Sequence, residues 1–221
     1  QVGSRPDKIG LHRCNSLEKL EEKGGGYDLI EVDVCIRENG QMDVTHDEDT
    51  TFGLDIVPYF AYLHQHPEKR MWMDIKNLDE ENKEPFFVCL DSLCRTYEIA
   101  HERLIVETPR WDLMRLLTIH DFCTSYYVDA PKPSELTRRQ MDSVITRLDR
   151  VASSGCVRAL SFPGWWYMAL RGQYKERDIS FLVWKHRSIQ WEVFLCPEGK
   201  MMLADDRVKA ILVKDKGRYH R

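Results

Sequence analysis

The 221-residue chain contains no run of about 18 apolar residues, so no helix of it is long and apolar enough to cross a bilayer. It lacks any C-x-x-C pair. Its seven cysteines (Cys14, Cys35, Cys89, Cys94, Cys123, Cys156 and Cys196) are an odd number, which argues against a zinc site of the finger type. No charge of one sign dominates: 32 basic and 36 acidic residues are well mixed and leave a formal net charge of −4. That balance excludes a nucleic-acid footprint and a polybasic membrane anchor. No long amphipathic helix stands out for docking on a lipid surface. No linker, repeat or shift in composition divides the sequence, so residues 1–221 read as one domain. Most cysteines sit among apolar residues, as reduced core thiols do, which favours the cytoplasm. The opening at Gln1 rather than Met fits a fragment or a processed form, and leaves a secreted or periplasmic protein open. Oligomeric state is left open by the sequence.

What is present is a regular alternation. Eight short apolar runs are expected to be strands: Lys8–His12, Leu29–Val34, Met71–Ile75, Arg103–Glu107, Ser125–Val128, Val157–Ser161, Ile179–Trp184 and Val208–Val213. Such continuous apolar stretches suit strands buried on both faces of a parallel sheet. Met42–Thr45 adds a short run after the Asn39-Gly40 turn signal. Helical patterns fall between them. Asn15-Ser16 can cap a helix through Lys23 that Gly24-Gly25-Gly26 stops; Pro85–Tyr97 carries an apolar stripe; and Ser134–Ala152 begins on a capping Ser. Leu54–Gln65, Trp111–His120 and Gly164–Arg171 complete the set. Eight strands alternating with helices imply an α/β fold, a single (β/α)8 TIM barrel, whose active site lies at the C-terminal ends of its strands.

Those ends collect polar residues. His12-Arg13 closes the first strand. Glu31 and Asp33, spaced by two, point to the same face of the second. His46-Asp47 follows the short run, and Asp74 and Lys76 repeat the spacing of two. Glu107, Asp129, Trp184-Lys185-His186 and Lys214 end the later strands. Charges inside apolar strands are costly unless paired or bound to metal. Glu31, Asp33 and Asp74 together would repel one another, and a divalent cation relieves that with hard oxygen ligands; Mg²⁺, Ca²⁺ and Mn²⁺ all suit them. The alternative is a buried ion network in which Arg13, Lys76 and Lys214 neutralise the carboxylates. His12 and His46 beside this cluster can divide general acid and base duties near neutral pH. Glu107 reads as an additional phosphate-site or ligand-network residue. Gly164-Trp165-Trp166 is either a substrate wall or rim packing. His64 and His66 read as solvated, and His120 as a helix-end residue.

At these residues the sequence resembles the glycerophosphodiester phosphodiesterase superfamily of phospholipase-C-like barrels. Four pieces carry the resemblance, in order: His12-Arg13, IEVDV with Glu31 and Asp33, THD with His46-Asp47, and MDIKN with Asp74 and Lys76. They cover Lys8–Asn77; beyond that only the barrel topology agrees. The resemblance implies a metal held by Glu31, Asp33 and Asp74, with His12 and His46 as the acid/base pair. It also implies that Lys76, assisted by Arg13, holds a phosphate oxygen, and that Trp184 lies over the substrate. The chain departs from the family pattern in several places. Cys14 stands where Gly usually follows HR, and only Asn15-Ser16 resembles the segment that normally comes next. Asp74 replaces the usual Glu, as in the sphingomyelinase D branch. The customary insertion after the second strand is largely missing, a compactness similar to the menorin group.

The expected function is metal-dependent cleavage of a small-molecule or lipid-headgroup phosphodiester, by water or by a neighbouring hydroxyl of the substrate. The competing expectation is a non-catalytic barrel that keeps the site to bind a phosphate-containing ligand or a protein partner. Retention of both histidines separates the two, because a binding module has no need of both. A metal amidohydrolase fits less well, since the first strand lacks His-x-His.

Overall fold

The computed structural model describes residues 6–175, 178–185 and 189–215. The strands are β1 (Ile9–Leu11), β2 (Leu29–Ile36), β3 (Met42–Val44), β4 (Arg70–Ile75), β5 (Leu104–Thr108), β6 (Cys123–Tyr127), β7 (Ala159–Pro163), β8 (Ser180–Lys185) and β9 (Val208–Val213). Eight of them are parallel neighbours in the order β1-β9-β8-β7-β6-β5-β4-β2, and β1 pairs back onto β2 to close a barrel. The ninth, β3, is an antiparallel hairpin partner of β2 that lies outside the ring. The helices are α1 (Leu17–Lys23), α2 (Val57–Gln65), α3 (Lys83–Thr96), α4 (Arg115–Ile119), α5 (Arg138–Ala152), α6 (Tyr167–Gln173), α7 (Gln190–Leu195) and α8 (Pro197–Ala204). The single (β/α)8 barrel expected from the alternation is therefore the fold.

Two apolar layers hold it. The larger lies between barrel and helices, where Val32, Val34, Phe60, Phe86, Leu148, Trp166 and Leu170 are buried. The smaller fills the barrel interior with Leu29, Trp72, Ile105, Ala159, Leu182, Ala210 and Leu212. All eight residues of β2 are buried, which is why that strand reads as an unbroken apolar run with two acids in it. Gly10 leaves room where the ring closes: a Cβ there would come within 2.8 Å of side-chain atoms of Leu29 and Leu212. None of the seven cysteines is in a disulfide. Among the described residues no helix is long and apolar enough to cross a membrane.

The structure corrects several boundaries. The long fifth helix starts at Arg138, not Ser134, because Thr137 and Gln140 form a full capping box whereas Ser134 sits in a 3-10 turn. The cap expected at Asn15-Ser16 is Ser16, which accepts from Lys19 N at 3.2 Å. The seventh strand runs two residues beyond the expected one, to Pro163. Helices α7 and α8, between β8 and β9, were absent from the sequence reading. Each is under nine residues long and they meet at Pro197, so neither shows enough turns for a clear helical period.

Candidate active site

Strand register places the acids. Asp33 stands beside Asp74 across β2 and β4, Asp74 beside Glu107 across β4 and β5, and Glu107 beside Ser125 across β5 and β6. Alternation turns all of them into the barrel. They line a cavity of about 470 Å³ at the mouth of the ring. Each residue named above as catalytic, metal-holding or substrate-binding lines it: His12, Arg13, Glu31, Asp33, His46, Asp74, Lys76, Glu107 and Trp184. Trp72, Pro109, Tyr127, Leu212 and Lys214 complete the wall. Asp129, His64, His66 and His120 lie elsewhere on the molecule, and His186 lies outside the described residues.

One oxygen each from Glu31, Asp33 and Asp74 come within 4.8 Å of one another. Lys76 Nζ bridges two of them, 2.6 Å from Asp33 Oδ1 and 2.5 Å from Asp74 Oδ2. The expected ion network is thus present in part, but one ammonium faces three carboxylates. Glu31 has His12 Nε2 at 3.8 Å and accepts the Arg13 backbone N–H at 2.5 Å. Asp33 is gripped from both sides by Asn15, which donates from Nδ2 to its Oδ2 at 2.7 Å and accepts its backbone N–H at 3.0 Å. Arg13 Nε stands 3.8 Å from Asp33 and its side chain is partly exposed. Three hard oxygen donors with a charge deficit of this kind fit a divalent cation.

The electrostatics agree. Burial, then repulsion from Asp33 and Asp74, pushes Glu31 well above the usual carboxylate range. Burial also raises Asp74, with Lys76 opposing and Asp33 adding to the shift. Asp33 is the exception: burial would raise it, yet Lys76, Asn15 and Arg13 together hold it below its ordinary value. Burial works against charge on Lys76, but Asp74 and Asp33 outweigh it and keep the ammonium more basic than a free lysine. Glu107 is raised well above its normal range by burial and then by Asp74.

Two cations outside the cavity shape the turns that carry the histidines. Lys19, buried on α1, donates to the carbonyls of His12 and Arg13 at 2.8 Å each. That turn passes through Arg13 with φ of 52°, a left-handed conformation that needs such support. Arg37 gathers the loop that carries His46, donating to Glu48 O at 2.5 Å, Thr50 O at 2.6 Å and Asp43 Oδ2 at 2.9 Å. The ends of that loop are tied by Val44 N to Leu54 O at 2.7 Å and Ile56 N to Met42 O at 3.0 Å. Within it, His46 Nδ1 lies 2.7 Å from Asp47 Oδ1.

The opposite wall is aromatic. Tyr127 and Trp184 stack with ring centres 5.6 Å apart and planes 8° from parallel, and Trp165 meets Trp184 edge-on at 6.2 Å. Of the Gly164-Trp165-Trp166 segment, only Trp165 reaches this rim; Trp166 is fully buried in the outer core. Sequence reasoning missed Asn15, Lys19, Arg37, Trp72 and Tyr127. Asn15 three positions after His12 was visible but read as a cap. Lys19 gave no signal because its partners are backbone carbonyls, and Arg37 little, because apart from Asp43 its partners are carbonyls too.

No family model and no curated protein matches the sequence. Solved structures do share its shape. A glycerophosphodiester phosphodiesterase from Parabacteroides distasonis superposes with a TM-score of 0.63 at 14% identity, over 96% of this chain and 94% of that one. A phosphodiesterase from Oleispira antarctica, in complex with the product sn-glycerol-3-phosphate, gives 0.62 at 13% identity over 93% and 92%. A calcium-dependent phosphoinositol-specific phospholipase C from a Pseudomonas species gives 0.51 at 10% over 94% and 88%. The chain therefore has the barrel fold that these phosphodiesterases share.

Proposed function

We propose that the chain is a divalent-metal-dependent phosphodiesterase acting on a small-molecule or lipid-headgroup phosphodiester. One observation carries the reading: two histidines, three carboxylates and a lysine converge on a single cavity at the mouth of a barrel. The phosphodiesterases of the same fold, one of them bearing sn-glycerol-3-phosphate, support it. Glu31, Asp33 and Asp74 are the residues that would hold the cation, and Mg²⁺, Ca²⁺ and Mn²⁺ all suit their oxygens. When bound, such an ion supplies Lewis-acid stabilisation of charge on the phosphate oxygens.

The residues of the chain do the rest. Lys76 holds a non-bridging oxygen, and Arg13 at the rim assists it. One of His12 and His46 takes the proton of the attacking hydroxyl or water, and the other returns a proton to the leaving alkoxide. Trp184, stacked on Tyr127, forms the wall against which the alcohol arm lies. The aromatic and buried side of the cavity keeps bulk water from that arm.

Hydrolysis of bis-p-nitrophenyl phosphate tests the reading, with EDTA and then with Mg²⁺, Ca²⁺ or Mn²⁺ added back. The expected result is activity that EDTA removes, one of the metals restores and His12→Ala loses. Turnover that survives EDTA, or that both histidine variants retain, would refute it. Metal binding without turnover of any diester would favour the non-catalytic barrel.

A further inference from the structure

We propose that Lys214 and Arg13 form a second anion subsite at the seam of the barrel. It takes a further negatively charged group, a phosphomonoester or a carboxylate, on the substrate's alcohol arm. The assignment rests on the phosphodiesterase reading and adds a substrate class to it: a phosphodiester that carries a second anion.

Register turns Lys214 inward. β9 sends Ala210 and Leu212 into the barrel interior, and Lys214 is the next residue of that row, one position past the end of the strand at Val213. Its neighbour Asp215 is held by other partners: it lies 3.5 Å from Lys23 Nζ and accepts from the Tyr27 hydroxyl at 3.5 Å. Lys214 accordingly lines the cavity, with Arg13 following the strand paired to β9 across the seam.

This corner holds positive charge without matching negative charge. Lys76 is engaged by Asp33 and Asp74. Arg13 turns its Nε towards Asp33 at 3.8 Å, and its side chain is 44% exposed at the rim. The ion network anticipated for the acids would include Lys214, yet Lys214 makes no ion pair among the described residues. A third cation stands close by. Lys19 Nζ is held by the carbonyls of His12 and Arg13; burial lowers its basicity, and the charge of Lys214 adds to that. Glu107 is no counter-ion here, because β5 lies across the ring, three strands from β1 and four from β9. Like charges gathered in this way repel one another, and an anionic guest relieves them as a cation relieves the acids.

Position sets the length of the arm. Glu31 and Asp33 stand on β2, two strands from β9. At about 4.8 Å per strand that is about 10 Å round the wall, and the stem of the lysine shortens it. An arm of about two to four carbons brings its second anion to Lys214. Trp184, on the strand beside β9, lies along the way.

Calorimetry with Mg²⁺ or Ca²⁺ present tests this without turnover. It compares n-propyl phosphate with the same ester ending in a carboxylate and the same ester ending in a second phosphate. The native protein is expected to bind at least one doubly anionic ligand about 10-fold more tightly than propyl phosphate, by a margin that shrinks as salt rises. A margin for one of the two alone supports the subsite and names its group. Lys214→Met should bring the ligands within about threefold by weakening only the doubly anionic ones. Lys214→Arg should keep the margin, and Lys214→Glu should turn the preference towards the same ester ending in an ammonium. Arg13→Met is expected to weaken propyl phosphate as well, because Arg13 also assists at the first phosphate. Equal affinities in the native protein, a margin that survives Lys214→Met in a variant with a normal melting curve, or no binding of any ligand would overturn the proposal. Bis-p-nitrophenyl phosphate carries no second anion and reports the phosphodiesterase reading separately. Turnover of it without a margin among the monoesters refutes the subsite alone; a margin without turnover refutes the enzyme reading alone.

Discussion

Replacing Lys76 by Met strips the cation that bridges Asp33 and Asp74. Asp33 is 1% exposed, and the ammonium lies 2.6 Å from it and 2.5 Å from Asp74. Removing one partner of a buried ion pair costs about 3–5 kcal/mol, because the other is left charged and uncompensated. The Lys76 side chain is 18% exposed, so solvent places the loss near the low end, about 3 kcal/mol. In a chain of this size 1 kcal/mol is worth about 2–4 °C, so the expected fall in Tm is about 6–12 °C. The pH dependence follows from the directions of the shifts. Asp33 is held low, so its share of the stability is present above the unfolded carboxylate pKa and fades as pH falls through its folded value. Lys76 is held high, so its share is full below the unfolded lysine pKa and fades as pH rises through its folded value. Both shares are full between those limits. The deficit of Lys76→Met should therefore be large at about pH 8 and shrink towards about pH 4, where the orphaned carboxylates accept protons. Saturating Ca²⁺ or Mg²⁺ should restore part of the lost Tm, since a cation on the same oxygens takes over the compensation. Scanning calorimetry in EDTA and then with metal reads each quantity. An unchanged Tm in EDTA at about pH 8, or a deficit that grows on acidification, would refute the reasoning.

Other expectations follow from the same geometry. His12→Ala and His46→Ala should each lower kcat by about 10²–10⁴ with far-UV circular dichroism unchanged, and a smaller loss would remove the residue from proton transfer. The metal-free native protein should lose stability as pH rises above the ordinary carboxylate pKa. Glu31 and Glu107 have raised folded values and contribute fully only below the unfolded one; a Tm in EDTA that climbs from about pH 5 to pH 8 would contradict this. Arg37→Met should slow turnover and speed amide exchange across residues 45–54 while metal affinity, measured by calorimetry, stays within about twofold. Trp166→Ala, fully buried and not part of the cavity lining, should cost about 3–5 kcal/mol in urea unfolding with little change in substrate KM.

The barrel was legible because its signal is repeated eight times, and a misplaced boundary such as Ser161 for Pro163 leaves the alternation intact. The acids were legible for a local reason: a charge in a run as apolar as LIEVDV has to be explained, and a spacing of two fixes its face. His46 was visible through its neighbours, and the structure holds it, as expected, just after the short run that forms β3. The groups that aim these residues were not legible. Lys19 binds carbonyls that any sequence could supply, so nothing in residue type announces it; Arg37 adds one carboxylate, Asp43, to its carbonyls, a pair that by itself does not point to the loop it holds. Asn15 was read as a local cap, whereas its partner Asp33 is 18 residues away and is reached only when the ring closes. That Trp72 lines the same cavity as Glu107 follows from the pairing of β4 with β5, which reading each strand by itself does not give.

The closing seam of the barrel has a consequence of its own. β1 is three residues long and meets β2 in only two register pairs, whereas β2 and β4 share six. Yet that thin seam is where His12, Arg13 and Glu31 meet, and on its other flank β9 supplies Leu212 and the residue just after it, Lys214, to the same cavity. A breach of the seam would dismantle the site while most of the barrel stood. Competence for the proposed chemistry would thus be tied to circular completeness: the first and last strands must find each other before the pocket exists, so a ring opened at this seam is expected to lose activity before it unfolds.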